Sequence, residues 1–349
     1  MRTSRFRAAI EHRMRAAWQG RGWWCRLLWP VAWCFGLLGA VRRWAYRQGW
    51  MHCDRLPVPV IVVGNVVVGG CGKTPLVLAI VEHLQAQGRV VGVVSRGYGR
   101  RGDDFVRVTA DADPAEVGDE PLLIHRRTGA AVVVGARRVH AARMLLHAVP
   151  EIDILVCDDG LQHLALCRDV EIAVFDDGGV GNGWLLPAGP LREPWPRAVD
   201  LVVHTGMRPA FAGFRAVRSL ADEAVDAQGR TRSLSLLAQD EAVQVVVAIA
   251  QPQRFLDMLQ ARGIRPATVW RLPDHDDLRG VVQRLDPAAP VVCTEKDAVK
   301  LWTLRPNAWA VRLLQAPEPA FWAALDAYLY TLRNDKNGEI HGEIRTRQP

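Results

Sequence analysis

No two cysteines in this chain are spaced as CxxC. The seven present (Cys25, Cys34, Cys53, Cys71, Cys157, Cys167 and Cys293) are scattered, which implies neither a disulfide framework nor a zinc site and points to a reducing compartment. Internal repeats and low-complexity runs are also missing. With 49% hydrophobic and 23% charged residues, the chain is globular rather than disordered, and 349 residues suit two domains better than one or three. Lysine is absent from residues 1–55, where eleven arginines stand against Glu11 and Asp54, a net of +9. The whole chain carries +7, so everything after that arm sums to −2. A near-neutral body argues against nucleic acid as a partner; a basic arm beside an apolar run fits contact with anionic membrane lipid.

That apolar run is short. Residues 27–41 make 15 uninterrupted apolar positions, against about 20 for a full bilayer crossing. Seven of the thirteen tryptophans lie in the first 50 residues, and tryptophan favours the headgroup zone. Membrane attachment follows from this, whereas spanning does not. A cleaved secretory signal competes as a reading, but Arg42, Arg43 and Arg47 follow the run where a small-residue cleavage site would stand.

From Pro57 the chain reads PVPVIVVGNVVVGGCGKTPLVLAIVEHLQAQG, the pattern of a buried β-branched strand, a glycine cluster and a helix starting near Lys73. Asn65 ends the strand, and Gly69, Gly70, Cys71 and Gly72 form a loop whose backbone N–H groups can turn toward phosphate oxygens. Lys73 then reaches the β and γ phosphates, Thr74 offers a hydroxyl to magnesium, and Pro75 sits in the first helical turn. The loop is a variant, because Val67 stands where GxxxxGK[ST] has its first glycine and Val68 where the KGGxGK[ST] branch has lysine.

A P-loop fold needs a carboxylate at the end of a neighbouring strand to hold Mg2+. IDILVCDDG supplies Asp158 and Asp159 at such an end, where α/β sheets bind ligands, and Gln162 and His163 follow directly. Asp119, in VGDEPLLIHRRTG, reads from spacing alone as a helix cap with Pro121 close behind. SRGYGRRG places Arg96 and Tyr98 in a second glycine loop, suited either to an anionic group or simply to solvent.

In order and spacing, PVIVVGN with GGxGKTP, SRGYG, GDEP, DDGLQH, LLPAGPLREP, the PDH at residues 273–275 and TEKDAVKL from Thr294 resemble the tetraacyldisaccharide 4'-kinase family over nearly the whole chain. Leu161 replaces the family's Phe in DDGFQH, and Asp276 stands where the family often has a second His. The resemblance implies transfer of the γ-phosphate of ATP, with Mg2+, to the 4'-hydroxyl of an acylated glucosamine disaccharide 1-phosphate at the cytoplasmic face of a bacterial inner membrane. It also implies roles: Asp119 as catalytic base, His275 as its dyad partner, Asp158 and Asp159 at magnesium, and Gln162, His163, Arg192 and Glu193 lining the centre.

Strand signals near 59–64, 90–95, 131–134, 152–157 and 170–175 alternate with helices, predicting an α/β fold: a P-loop NTPase-type parallel sheet over residues 56–200. A smaller α/β domain is expected over 201–330, hinged so that closure brings His275 toward Asp119, with a membrane-anchoring N-terminal helix in residues 1–55 and a loose tail over 331–349. The competing functions are a GTPase or ligase of the same P-loop branch, against which the sequence shows no NKxD-type motif, and a nucleotide-binding membrane regulator without transfer.

Overall fold

The computed structural model describes Met14 and residues 17–337. Most of the expected basic arm before Trp18, and residues 338–349 of the expected tail, lie outside the described residues. In chain order the elements are helix α1 (Trp23–Arg47), β1 (Val60–Gly64), α2 (Lys73–Ala86), β2 (Val91–Ser95), β3 (Val106–Arg107), α3 (Pro114–Val117), α4 (Asp119–Thr128), β4 (Ala131–Val134), α5 (Arg138–Ala148), β5 (Ile154–Asp158) and β6 (Val170–Phe175). There follow β7 (Leu201–His204), β8 (Phe214–Val225), β9 (Thr231–Ser233), α6 (Leu234–Leu237), β10 (Gln244–Val247), α7 (Pro252–Ala261), β11 (Thr268–Arg271), α8 (Arg279–Val282), β12 (Val291–Thr294), α9 (Glu295–Leu301), β13 (Trp309–Pro317) and α10 (Pro319–Asn337).

The first five expected strands are β1, β2, β4, β5 and β6, all mutually parallel where they pair. Their β-branched runs are unbroken because both faces of the sheet are covered; every residue of β1, β2 and β5 is buried. One path of strands runs through the whole molecule in the order β11-β10-β12-β13-β8-β7-β6-β1-β5-β2-β4-β3. The link is β8. Phe214 and Arg215 pair parallel with β7, after which residues 216–225 turn to pair antiparallel with β13.

Three features depart from the sequence expectations. Strand β7, placed at the start of the second unit, hydrogen-bonds to β6 and completes the first sheet. Helix α10 runs through residue 331 to Asn337, and its Phe321, Leu325 and Leu329, spaced at one helical turn, bury in the same core as Leu76, Val77, Ile80 and Leu84 of α2. Cys53 and Cys167 are joined, their Cα atoms 5.4 Å apart, because residues 53–54 run alongside the loop after β5, where Asp54 N–H donates to Ala165 and Cys167 N–H to Asp54.

Helix α1 extends the apolar run at both ends to 25 residues, long and apolar enough by composition to cross a membrane. It is not a core helix. Only Cys25 and Ala32 are buried, while Trp23, Trp24, Trp33 and Leu38 are more than half exposed.

Candidate active site

The chain leaves β1 through Asn65 and reaches α2 by way of Gly72, whose φ of 89° lies in the left-handed region. Glycine is required there twice over, since a Cβ would also collide with the Arg218 guanidinium. Lys73 Nζ donates to Asn65 Oδ1 at 3.3 Å and to the Gly69 carbonyl at 3.5 Å, and lies 3.7 Å from Asp159. Asn65 thus braces the lysine from the strand end. From the other side, Thr205 Oγ1 and Arg218 donate to the Cys71 carbonyl at 2.7 and 2.8 Å. Neither of these last two residues carries a sequence signature; both reach the loop only because β7 ends beside it and β8 passes it.

Asp158 closes β5 and is buried; Asp159 follows with φ of 50°. Ser95, at the end of β2, donates to Asp158 Oδ2 at 3.3 Å, while Asp158 Oδ1 has no hydrogen-bond partner among the described residues. Burial, then the charges of Glu120 and Asp159, push the Asp158 carboxyl up to about 7. Burial acts the same way on Asp159, but Lys73 and Arg192 outweigh it and hold that carboxyl below its ordinary range. A buried carboxylate oxygen without a donor is the mark of a cation site. Among the described residues no three His, Cys, Asp or Glu side chains converge as a metal cage. Protein sites hold magnesium by one or two carboxylates plus phosphate oxygens. Asp158, Asp159 and the Thr74 hydroxyl are the residues that fit it.

Arg192 donates to both oxygens of Asp159, at 2.9 and 3.0 Å, and to Gln162 Oε1 at 3.3 Å. Gln162 Nε2 in turn donates to Glu193 at 2.7 Å and to the Asn65 carbonyl at 3.1 Å. Glu193 is buried, so this pair braces the acidic turn from behind. His163 is half-buried, and burial followed by the charges of Arg138, Arg96 and Arg42 pushes its pKa down to about 4, leaving a neutral imidazole at neutral pH. Arg138 escaped the sequence reading: it opens α5 in an ordinary helical pattern, yet it is buried with Nε and Nη2 lacking a hydrogen-bond partner among the described residues.

Asp119 is the first residue of α4, and Gly118, not Asp119, occupies the cap position, so the cap reading gives way. Its Oδ2 lies 3.0 Å from His275 Nδ1 and accepts from Lys300 Nζ at 2.9 Å. His275 sits at φ 64° in the turn after β11, beside the Tyr98 ring at 5.4 Å. Asp276 accepts from the Leu278 N–H at 2.9 Å, a turn-holding role away from Asp119.

A cleft of about 1370 Å³ opens between the two halves of the sheet. Gly69, Gly70, Gly72, Lys73, Thr74, Pro75, Tyr98, Asp159, Arg192 and His275 line it, and Asp119 lies just behind its wall. Arg96 is exposed and outside that lining; half-buried Gln162 and His163 and buried Glu193 also lie outside it.

The family model described as tetraacyldisaccharide-1-P 4'-kinase matches residues 24–330. The chain is 54% identical over 325 residues to the tetraacyldisaccharide 4'-kinase of Polaromonas naphthalenivorans (strain CJ2), covering 90% of this chain and 94% of that relative. To the enzyme of the same name from Acidovorax ebreus (strain TPSY) it is also 54% identical, covering 93% and 96%. Its fold is similar, with a TM-score of 0.77 and 26% identity, to a crystal structure of LpxK from Aquifex aeolicus in complex with ATP, covering 88% of this chain and 99% of that one. A family match over nearly all of the described chain, together with relatives sharing more than half of its residues, places this protein in the tetraacyldisaccharide 4'-kinase family.

Proposed function

We propose that this chain phosphorylates the 4'-hydroxyl of an acylated glucosamine disaccharide 1-phosphate, taking the γ-phosphoryl group of ATP. The observation that carries the reading is the Asp119–His275 contact, made across the cleft that holds Lys73 and the glycine loop. A sugar hydroxyl is a poor nucleophile at neutral pH. Asp119 takes its proton late, as the oxygen–phosphorus bond forms and the bond from the γ-phosphorus to the β–γ bridging oxygen breaks, its electron pair leaving with ADP. Lys73 and the loop N–H groups stabilise the charge on the moving phosphoryl. Thr74, Asp158 and Asp159 would hold magnesium, which would supply positive charge to the phosphates. Arg42 and Arg96, both exposed and both acting on His163 through their charge, supply positive charge for the acceptor's own phosphate. Gln162 and Glu193 keep Arg192 aimed at Asp159 rather than touching the acceptor.

The test is direct. Detergent-solubilised full-length protein, incubated with γ-labelled ATP, magnesium and tetraacyldisaccharide 1-phosphate, is expected to move label into lipid and to stop on chelation with EDTA. Label that remains in ATP, or is released only as inorganic phosphate, would sink the reading.

The exposed tryptophan-rich helix α1 supports attachment to the inner membrane with the catalytic halves on the cytoplasmic side. Membranes from expressing cells are expected to retain the protein through a high-salt wash and a carbonate wash. Release into the supernatant by salt alone would reduce α1 to an electrostatic contact.

A further inference from the structure

TEKDAVKL, residues 294–301, has no part in the transfer as described, yet it forms α9 and delivers two lysines to the Asp119–His275 pair. Lys296 and Lys300 lie four residues apart and so share one face of the helix. Lys300 Nζ contacts Asp119 Oδ2 at 2.9 Å, the same oxygen that faces His275 Nδ1. Lys296 Nζ lies 3.0 Å from Glu120 Oε1, 3.2 Å from Asp274 Oδ1 and 3.4 Å from His275 Nε2. An ammonium group only donates, so with Lys296 as the donor Nε2 is the acceptor of a neutral ring, and the ring proton sits on Nδ1, directed at Asp119. Asp274 also lies 3.8 Å from Nε2, but Lys296 is its nearer partner.

We propose that Lys300 and Lys296 are positioning residues for the transfer: Lys300 occupies Asp119 Oδ2 so that Oδ1 is left to take the acceptor's proton, and Lys296 fixes His275 as the neutral Nδ1–H tautomer. The inference rests on Asp119 being the base. The chain Lys296–His275–Asp119–Lys300 places a cation at each end of the dyad, so a proton accepted by Asp119 has no onward path through Nε2. Every group facing the dyad is consistent with this. Glu120 on α4 and Asp274 in the β11–α8 turn balance Lys296, Lys73 on α2 acts on Glu120, and Tyr98 contributes an uncharged ring. Burial opposes the charge on Asp119, but the His275 hydrogen bond and the Lys300 charge outweigh it and hold the carboxyl below its ordinary range.

The measurement is the pH profile of kcat/KM for the lipid acceptor, on full-length protein in mixed micelles, for wild type, Lys300→Gln, Lys300→Arg and Asp119→Asn. Loss of the Lys300 charge is expected to move the acid limb to higher pH by about one unit, the order of effect of an opposite charge in contact. Lys300→Arg is expected to keep the limb in place, and KM for ATP is expected to be unchanged throughout. A Lys300→Gln enzyme that is slower with its acid limb unmoved would overturn the role of Lys300, leaving it a packing residue. Full activity in Asp119→Asn would instead remove the base assignment on which the inference stands. Nitrogen chemical shifts of wild-type protein labelled in histidine, with His275 assigned by difference from His275→Gln, need no Lys variant to fold. An Nδ1–H neutral ring is expected, and an imidazolium or Nε2–H ring would overturn the role of Lys296.

Discussion

Lys73→Met is expected to lower kcat by about 10²–10³-fold, the usual cost of removing one preorganised charge from a transition state, while the protein still folds. Folding survives because the partner left behind is not orphaned. Asp159 keeps both of its contacts from Arg192, at 2.9 and 3.0 Å, and the Gly69 carbonyl keeps its contact from Asn65 Nδ2 at 3.4 Å, so that only the neutral Asn65 Oδ1 loses its donor. Methionine fills nearly the same volume in a side chain that is 12% exposed. Turnover of label into lipid, beside circular dichroism and a binding isotherm for ATP, separates the outcomes. A kcat within tenfold of wild type would mean that the phosphate charge is met elsewhere in the cleft, and Arg192 would be the first residue to suspect.

Asp119→Asn is expected to cost about 10²–10⁴-fold in kcat, the range for a positioned general base, with KM for ATP unchanged because Asp119 touches no residue of the glycine loop. Asparagine retains the shape and an acceptor oxygen for His275 and Lys300, so a large loss reports proton transfer rather than collapse of the cluster. The pH dependence has a definite sign. Although burial favours the neutral acid, the His275 hydrogen bond and Lys300 depress the folded-state pKa, so the base is ionised at neutral pH and fails only as pH falls through that depressed value. The acid limb of wild-type kcat/KM should therefore lie below the ordinary aspartate value of about 3.9. A limb near neutrality, surviving in Asp119→Asn, would assign the titration to another group.

Local pattern made the nucleotide half legible. β-Branched runs ending in Asn65, Ser95 and Asp158 announce parallel strands buried on both faces, and such strands bring their carboxyl ends to one edge of the sheet. The glycine loop and the paired acids could therefore be placed together from their strands alone. Strands β8 and β13 gave no comparable signal. β8 alternates half-exposed and charged residues along a two-stranded ribbon that is only partly covered, and its pairing with β13 spans about ninety residues of chain, a separation no local pattern encodes. Arg218 and Arg138 were missed for the same reason, since each is an ordinary arginine until distant segments bury it.

By itself, the sequence determined the glycine loop between β1 and α2, the acids at the end of its neighbouring strand and the apolar, tryptophan-rich start, because each depends on residues adjacent in the chain and on backbone rules that act over a few positions. Spacing left Asp119 a helix cap and only the family resemblance paired it with His275, 156 residues further on; tertiary structure alone added Lys300, 181 residues further on, on the same oxygen. A carboxylate acquires its partners, and with them its charge and chemistry, only after the β8–β13 ribbon has carried the second half of the sheet into place beside the first.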